Sequence, residues 1–562
     1  MSTEGLGTTG QPRIPAVTSG VLLSGLASHS EPKFDPILPQ SSSKELQPPA
    51  RLELPLNHRE ILQALVHPPG AALTQRQHDS PVYGQTRSLG ELNVELRYGT
   101  FKVYAFETAA TGRHVIALTK GDISSEEPLL VRFHSECITS EGLGGCDCDC
   151  VEQLNAALEK IEKEGRGIVF YLRQEGRGAG YHQKARDRMG VAASDNQLDT
   201  FQLYEALGLP HDPRGYGMLG ECAYLMGIKA PINLMTNNPA KLQAVEGLGL
   251  QFAGRVPLEV PPNPFNAAYL TAKSSTGGHL LAQGNVESSL YPWKVQPFRP
   301  GLVPEAMRFS HDASYPLPVR AFNGTYVLGL SAADELRTLL ARAQRQDILE
   351  SQVELSTGEV KVKLNHAKLE AFAKTTEGKD AATLLQRSPN WFEAHVYHDV
   401  ASGLNYVALE YGRHLPEEVR NSIVPLVRVQ SENIFQRFPV KDRARSYDAA
   451  INQILERGRG MVLLYPEDGR GNGFSSVFLE QQLVQRRLAA NAVEAAALLG
   501  LRPETRDYLP IARLISHHYG VGPVQLLLRE RHKTTPTTPT MTLLDELRAS
   551  GIKLQDPKFL GK

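Results

Sequence analysis

The sequence predicts an α/β protein built from two tandem copies of one layered domain, the second of which is degenerate. The chain has 562 residues, enough for two to four domains. Continuous apolar runs such as 168–172 and 232–236 alternate with segments of helical spacing, which is typical of sheets covered by helices. Four segments of the first half also recur in the second half, in the same order.

The elements of the first copy follow from periodicity. Alternating or continuous apolar residues predict strands, and spacings of three and four predict helices. The predicted strands are Leu92–Arg97, Phe101–Phe106, His114–Leu118, Leu129–Phe133, Ile168–Leu172 and Ile232–Thr236. The predicted helices are Val151–Lys163, Thr200–Leu207 and Leu219–Gly227, and a turn is predicted at Thr111-Gly112. Pro239 is expected near the first turn of a further helix.

The repeat consists of four collinear pairs of segments at offsets between 291 and 296 residues. The pairs are ATGRHVIAL (110–118) with ASGLNYVAL (401–409), LLVRFHSEC (129–137) with PLVRVQSEN (425–433), EGRGIVFYLRQEGRGAG (164–180) with RGRGMVLLYPEDGRGNG (457–473), and ALGLPHDPRGYG (206–217) with LLGLRPETRDYL (498–509). We expect a disordered leader over 1–75, the first copy over 90–282, a Pro-rich linker over 283–320 and the degenerate copy over 321–562.

The two copies differ in chemistry. Asn433 replaces Cys137, Pro466 replaces Arg173, and the Lys441–Ser446 region contains no cysteine. The second copy is therefore expected to lack metal ligands and to bind no zinc.

Composition excludes several classes of protein. Lys and Arg total 60 against 61 Asp and Glu, a balance that argues against a nucleic-acid-coating protein. The short apolar piece Val21–Leu26 is far below the roughly 20 residues of a membrane span, and no secretory signal is evident. A cytoplasmic location is expected. Five cysteines are too few for a disulfide scaffold, and clustered thiols inside cells tend to bind metal.

Four of the five cysteines cluster in one short segment, 137–150: Cys137, Cys146, Cys148 and Cys150. Thiolates are soft ligands that zinc prefers, and three protein ligands leave a position for reactive water. The spacing leaves open which three bind, and it leaves a structural zinc knuckle or buried free thiols as alternatives. The neighbouring titratable segment 134–136 favours a catalytic site.

Two loops are suited to phosphate. Glu175-Gly176-Arg177-Gly178 follows a buried strand, where glycines allow close approach and arginine binds phosphate oxygens. Thr236–Lys241 ends one strand and opens a helix, with Lys241 supplying charge. Arg132, Arg173 and Arg214 also lie in or beside strand ends or loops. A tight turn and a capped helix start are the structural alternatives, but together the loops predict a phosphorylated nucleotide beside zinc.

These motifs together resemble one family. RFHSEC, the Cys137-x10-Cys148-x-Cys150 spacing, RQEGRG, DT at 199–200, DPR at 212–214 and TNNPAK at 236–241 are similar to GTP cyclohydrolase II over about 95–282. The resemblance implies an α/β homodimer, a catalytic zinc bound by Cys137, Cys148 and Cys150, and magnesium with the substrate phosphates. Cys146 is then an extra thiol.

The resemblance also implies roles for individual residues. Asp212 is the expected proton acceptor, and Arg214 is the expected nucleophile at the α-phosphate. Substrate binding is implied for Arg132, His134, Ser135, Glu136, Gln153, Glu175, Gly176, Arg177, Thr200, Thr236 and Lys241. One position departs from the family, because Arg188 stands where the family has a catalytic tyrosine, and this residue is a candidate specificity determinant.

Three functions follow from these observations. The two-copy layout resembles the cyclohydrolase-II-related family of uracil catabolism, so the leading expectation is opening of the base ring of a uridine nucleotide. The first alternative is authentic GTP cyclohydrolase II, which releases formate and pyrophosphate in riboflavin biosynthesis. The second is a catalytically silent nucleotide-binding regulator. No nucleic-acid or membrane partner is expected, and the chain is expected to be a homodimer or an intrachain pseudo-dimer.

Overall fold

The computed structural model describes residues 85–108, 113–282, 286–304, 306–322, 324–355, 358–441, 446–502, 504–529 and 539–560. All of them belong to one compact unit, Leu54–Lys562. The predicted leader and the predicted Thr111-Gly112 turn lie outside the described residues. No helix among these residues is both long and apolar enough to cross a membrane.

A seven-stranded mixed sheet forms the core of the first copy. Its strands are β1 (Thr86–Leu96), β2 (Gly99–Thr108), β3 (His114–Lys120), β4 (Leu129–Ser135), β5 (Gly167–Leu172), β6 (Ile232–Met235) and β7 (Phe252–Val256), in the order β1-β2-β3-β5-β4-β6-β7. The pairs β1-β2, β2-β3 and β3-β5 are antiparallel. The pairs β5-β4, β4-β6 and β6-β7 are parallel. Every residue of β5 is buried, as its continuous apolar run predicts.

Six helices cover this sheet: α1 (Cys150–Glu164), α2 (Tyr181–Ala193), α3 (Thr200–Ala206), α4 (Met218–Leu225), α5 (Pro239–Glu246) and α6 (Ala267–Ser275). Local chemistry sets their ends. Gly165 ends α1 in the left-handed conformation at φ 76°. Asp199 closes a capping box at the start of α3. Asn238 caps α5, with Pro239 in its first turn as predicted.

The second copy repeats this topology. Its strands and those of an inserted sheet are β8 (Gly301–Val303), β9 (Ala306–Val319), β10 (Thr325–Leu328), β11 (Leu349–Glu354), β12 (Val360–Leu364), β13 (Asn390–Asp399), β14 (Asn405–Tyr411), β15 (Leu426–Ser431), β16 (Gly460–Tyr465), β17 (Val524–Leu528) and β18 (Leu554–Phe559). Read from β9, the eight-stranded sheet runs β9-β13-β14-β16-β15-β17-β18, which matches the order of β1 to β7, and β8 adds one strand outside β9. The predicted α/β fold with two related copies is confirmed.

Nine helices belong to the second half: α7 (Leu330–Arg342), α8 (His366–Phe372), α9 (Thr376–Gln386), α10 (Glu417–Ser422), α11 (Ser446–Arg457), α12 (Phe474–Gln485), α13 (Ala492–Leu498), α14 (Leu509–Tyr519) and α15 (Pro539–Ala549), counted over the described residues. Of these, α7, α8 and α9 cover a separate three-stranded sheet of order β10-β12-β11. This small layer is inserted between β9 and β13.

The end of the predicted Pro-rich linker is a strand. Residues 306–319 form β9 and pair antiparallel with β13, with Pro316 opposite Glu393 and Pro318 opposite Trp391. Among the described residues, β8 pairs with β9 only as far as His311, so the two prolines lie beyond it, beside an edge that tolerates proline. Proline content therefore mispredicts this strand as linker.

The two copies exchange reciprocal contacts. Leu96, at the end of β1, bridges to Val440 of the second copy, and Val319, at the end of β9, bridges to Gly145 of the first. The Cys146 N–H donates to Pro318 O at 2.8 Å, so the second copy holds the backbone of the cysteine segment. Buried side chains continue the contact, because α2 and β9 share one apolar cluster and β1 and α12 share another.

Candidate metal and nucleotide site

Three thiols converge at the carboxyl end of β4. Cys137 follows this strand and caps a short π-helical turn over Ile138–Gly142, while Cys150 begins α1. The sulfurs of Cys137, Cys148 and Cys150 all lie within 4.8 Å of one another, and Cys137 Sγ lies 3.6 Å from Cys148 Sγ. This convergence of soft donors fits zinc.

Cys146 does not join the other three thiols. Its sulfur points to Gly144 O at 3.9 Å, and burial raises its pKa to about 11. The geometry therefore separates three candidate ligands from one neighbour, a choice that the spacing alone left open.

Charge around Cys137 favours its thiolate. Hydrogen bonds from Cys148 and Cys150 lower the pKa of Cys137 well below its ordinary value, and Lys184 Nζ lies 3.1 Å from its sulfur. Lys184 also donates to Glu175 Oε1 at 2.8 Å. The other oxygen of Glu175 accepts from the Ile138 N–H at 2.5 Å, so Glu175 fixes the turn that follows Cys137.

The thiols open onto a cleft with a cavity volume of about 110 Å³. Predicted site residues that line this cleft are Arg132, His134, Ser135, Glu136, Cys137, Cys150, Gln153, Glu175, Gly176, Arg177, Arg188, Thr200, Arg214, Thr236 and Lys241. Cys148 lies behind the cleft surface, and Asp212 contacts two residues that line the cleft, Arg214 and Asn238. The structure thus brings the predicted residues to one place.

A group of cations occupies one end of the cleft. Burial and the nearby charges of Arg132 and Arg214 hold the pKa of Lys241 well below its ordinary value. Lys241 donates to Phe133 O at 2.7 Å, and Arg132 donates to Met235 O at 2.9 Å. The Nε of Arg132 is buried and forms no hydrogen bond. Several cations close together, with donor atoms that have no partner, are typical of an anion-binding site.

Asp212 is paired within this group. Arg214 Nε donates to Asp212 Oδ1 at 2.6 Å, and a second guanidinium nitrogen of Arg214 donates to Oδ2. Burial acts to raise the pKa of Asp212, but the hydrogen bonds from Arg214 hold it below its ordinary value. The carboxylate is therefore ionised at neutral pH.

The Gly-Arg-Gly loop directs Arg177 into the cleft. Arg177 adopts φ 55°, and its guanidinium lies 4.2 Å from the ring centroid of Phe201. Both terminal nitrogens of Arg177 are buried without a hydrogen bond. Thr200, the first residue of α3, donates to Asp187 Oδ2 at 2.9 Å.

The second copy contributes to the wall of the site. Arg437 Nη1 lies 2.7 Å from Glu136 Oε2 and 3.3 Å from the Tyr171 hydroxyl, and Arg437 also contacts Glu432. Tyr171 donates to Glu141 at 2.5 Å, and Glu141 lies 2.7 Å from His134 Nε2. A buried polar chain thus joins Arg437 to His134.

Several lining residues were missed by sequence reasoning: Lys184, Asp187, Tyr269 and Lys273. The first two lie on α2 at the helical spacing of Tyr181, Lys184, Asp187 and Arg188, which periodicity could have found. Tyr269 carries no motif. It stacks under Arg188, whose guanidinium lies 4.4 Å from the Tyr269 ring and whose Nε lies 3.3 Å from Asp147.

The degenerate copy keeps the loop geometry without the chemistry. Arg470 adopts φ 58°, as Arg177 does, and Asp468 accepts from the Ile434 N–H at 3.0 Å, as Glu175 does from Ile138. Asn433 stands at the position of Cys137 and Val477 at that of Lys184. Residues 442–445, within the predicted cysteine-free region, lie outside the described residues.

Comparison with known proteins finds one family. The model of the family described as GTP cyclohydrolase II matches residues 86–257 and 377–538, so both copies match. A protein named GTP cyclohydrolase-2 from Teredinibacter turnerae is 45% identical over 184 residues, covering 33% of this chain and 90% of that protein. A riboflavin biosynthesis protein RibBA from Bacillus mycoides is 42% identical over 207 residues, covering 37% of this chain and 50% of that protein.

The chain spans about half the length of the RibBA proteins that it matches. A solved structure of RibBX from A. baumannii, a two-domain 3,4-dihydroxy-2-butanone 4-phosphate synthase, matches with a TM-score of 0.20 at 14% identity, covering 34% of this chain and 44% of that one. A TM-score this low supports no conclusion about a shared fold.

Proposed function

The chain belongs to the GTP cyclohydrolase II family, and from this premise we propose that it hydrolytically opens a ring of a nucleotide base, with GTP as the favoured substrate. The observation that carries the proposal is the single cleft in which three convergent thiols meet a cluster of cations with free donors. A metal beside an anion site is what hydrolysis of a phosphorylated nucleotide requires.

In this proposal Cys137, Cys148 and Cys150 hold zinc, which when bound supplies Lewis-acid activation of water. The protein's own groups do the rest. Arg132, Lys241 and the Gly176-Arg177 loop bind phosphate oxygens, and Thr236 lies at the same strand end. Magnesium is expected to accompany the phosphates.

Arg214 and Asp212 act as a pair at the cation end of the cleft. The guanidinium of Arg214 faces the α-phosphate, and the ionised carboxylate of Asp212 accepts a proton. His134, Ser135, Glu136 and Gln153 line the same cleft and are suited to hydrogen-bond the base or ribose.

The relatives favour GTP over the uridine nucleotide that the sequence layout first suggests. One named relative is a riboflavin biosynthesis protein and the other is a GTP cyclohydrolase-2 by their printed names. A uridine nucleotide stays a second candidate because of one observation: Arg188, buried against Tyr269, presents a cation where the family has a tyrosine. A guanidinium at this position can donate to the carbonyl groups of a uracil ring. It is a poor substitute for the hydroxyl of the family's tyrosine.

We also propose that the second copy substitutes for the partner of the family's homodimer. The reciprocal bridges of Leu96 with Val440 and of Gly145 with Val319 support this proposal, since related surfaces meet related surfaces as in a two-fold dimer.

The test incubates zinc-loaded full-length protein with GTP, UMP, UDP and UTP in parallel and follows ring loss by absorbance and product mass. Opening of the GTP imidazole ring with release of formate and pyrophosphate supports the proposal. Turnover of uridine nucleotides alone selects the second candidate. Binding without turnover of any of them would leave a nucleotide-binding regulator and contradict the proposed activity.

A further inference from the structure

A second cluster of metal-ligating side chains lies in the degenerate copy, away from the cysteines. His395 of β13, Glu410 of β14 and His518 of α14 place one ligand atom each within 4.8 Å of the others. His395 is 1% exposed and Glu410 is 5% exposed. The reaction proposed above makes no use of these residues.

Strand pairing explains how the cluster forms. Glu393 lies directly opposite Glu410 in the β13–β14 ladder, and His395 follows two residues later on the same face. Like charges placed opposite each other in a sheet destabilise it. The equivalent pair in the first copy is Lys102 opposite Thr119, so the acidic pair is particular to the second copy.

The distances from Glu410 Oε2 to the two imidazole nitrogens are close to those around one tetrahedral ion. His395 Nε2 lies 3.4 Å from Glu410 Oε2 and 3.6 Å from Glu393 Oε2, and His518 Nδ1 lies 3.0 Å from Glu410 Oε2. Zinc bonds of 2.0–2.1 Å place neighbouring ligands about 3.3 Å apart in a tetrahedron. His395 Nε2 and Glu393 Oε2 are also buried without a hydrogen bond.

The outer nitrogens of both imidazoles are already held. His395 Nδ1 lies 2.7 Å from Ser314 Oγ, which lies 2.9 Å from His311 Nε2. His518 Nε2 lies 2.9 Å from the Tyr397 hydroxyl. Hydrogen bonds at the outer nitrogen orient histidine ligands in metal sites.

Local charge leaves room for a cation. Arg413 lies 3.2 Å from both Glu393 and Glu410, so one guanidinium faces two carboxylates. His414 Nε2 also lies 3.3 Å from Glu393 Oε2, and Arg459 acts on Glu410 electrostatically, so Glu410 and Glu393 attract cations from several sides. With neutral imidazoles, Arg413 is the one guanidinium within 4 Å of these two carboxylates among the described residues.

We propose that His395, His518 and Glu410 bind a zinc ion in the second copy, with Glu393 beside the site. Because the three ligands come from two strands and a helix, the ion ties α14 to the hairpin of β13 and β14, which is a structural role. The expectation that the degenerate copy binds no zinc considered only the positions equivalent to the cysteines of the first copy. The proposed ligands lie at other positions, in β13, β14 and α14.

Metal content of the intact chain tests the proposal. Zinc-loaded, desalted wild-type protein should hold about two zinc ions per chain, and the Cys148→Ser variant should retain about one. A His518→Ala substitution should remove the second ion, whereas the adjacent His517→Ala serves as the matched control and should not. Because Cys148→Ser leaves the histidine cluster intact, its retention of metal does not depend on whether His518→Ala folds.

X-ray absorption at the zinc edge of the wild-type protein gives an independent measure. Two sites predict an average of about 1.5 sulfur neighbours per zinc, and a lone cysteine site predicts about 3. Wild-type protein with about one zinc and about three sulfurs, or Cys148→Ser protein with no metal, would overturn the proposal. Metal content is read without substrate, so failure here is separate from failure of the proposed hydrolysis.

Discussion

Cys146 lies two residues from a proposed metal ligand, yet its side chain points to a backbone carbonyl instead of the thiol cluster. The sequence spacing could not choose among the four cysteines, because the choice depends on how the 137–150 segment turns after β4. The family resemblance named the three that the structure brings together. Cysteine spacing predicts that a metal site is present, and the path of the backbone determines which cysteines belong to it.

We expect Cys148→Ser to abolish zinc binding at the cysteine site and with it the nucleotide hydrolysis, because serine oxygen is a poor substitute for thiolate. Cys146→Ser is the matched control and should keep both. Zinc bound per chain and turnover should be measured on the same preparations. Loss of zinc from Cys146→Ser would show that the ligand set is wrong.

Lys241→Met should weaken binding of the nucleotide triphosphate by about 10- to 100-fold, since a charge-assisted hydrogen bond contributes about 1.5–3 kcal/mol. Lys229→Met removes an exposed lysine of the same domain and should leave affinity unchanged. Calorimetric titration with a non-hydrolysable analogue measures both. Equal affinity in the two variants would remove Lys241 from the phosphate site.

Asp187 should make stability depend on pH. Burial raises its pKa from 3.8 to about 6. The folded protein therefore holds this proton more tightly than the unfolded chain, and the free energy of unfolding falls as pH rises from about 4 to about 6. Relative to that of the wild type, the free energy of unfolding of Asp187→Asn should rise by up to about 3 kcal/mol between pH 4 and pH 7. Denaturant unfolding at the two pH values checks this, and an identical difference at both would contradict it.

Among the elements of the first copy, local periodicity predicts strands β1 to β6, helices α1, α3 and α4 and the start of α5, but it misses α2, α6 and β7. It fails at β9, where Pro316 and Pro318 indicate linker although the segment pairs with β13. Pairing over about 80 residues, with a three-stranded layer inserted between, cannot be read from local sequence. Tyr269 and Arg437 were missed for the same reason, since only tertiary contacts bring Tyr269 to the cleft and Arg437 against Glu136.

Arg437→Met should destabilise the protein by about 3–5 kcal/mol, because it leaves Glu136 and Glu432 buried beside each other with one cation fewer. It should also reduce turnover, since the chain from Arg437 through Tyr171 reaches His134. Arg337→Met removes an exposed ion pair with Asp334 on α7 and should cost less than about 1 kcal/mol. Equal unfolding free energies for the two variants would show that the ion pairs of Arg437 with Glu136 and Glu432 do not stabilise the fold.

At the scale of the whole molecule, two copies of one sheet topology carry unequal chemistry. The repeat was visible in sequence, because strand ends and Gly-Arg-Gly loops keep their spacing. How the copies meet was not visible, since the bridges at Val440 and Val319 join residues far apart in the chain. The second copy holds the cysteine segment and supplies Arg437, so its preservation has a physical reason despite the lost ligands.

The central claim is that the first copy hydrolyses the base ring of GTP. The most direct measurement incubates zinc-loaded full-length protein with GTP labelled with carbon-13 at the carbon between the two imidazole nitrogens, and follows the label by NMR. We expect labelled formate from wild-type protein and none from Cys148→Ser. Label that stays in intact guanine with wild-type protein, at full zinc loading, would contradict it.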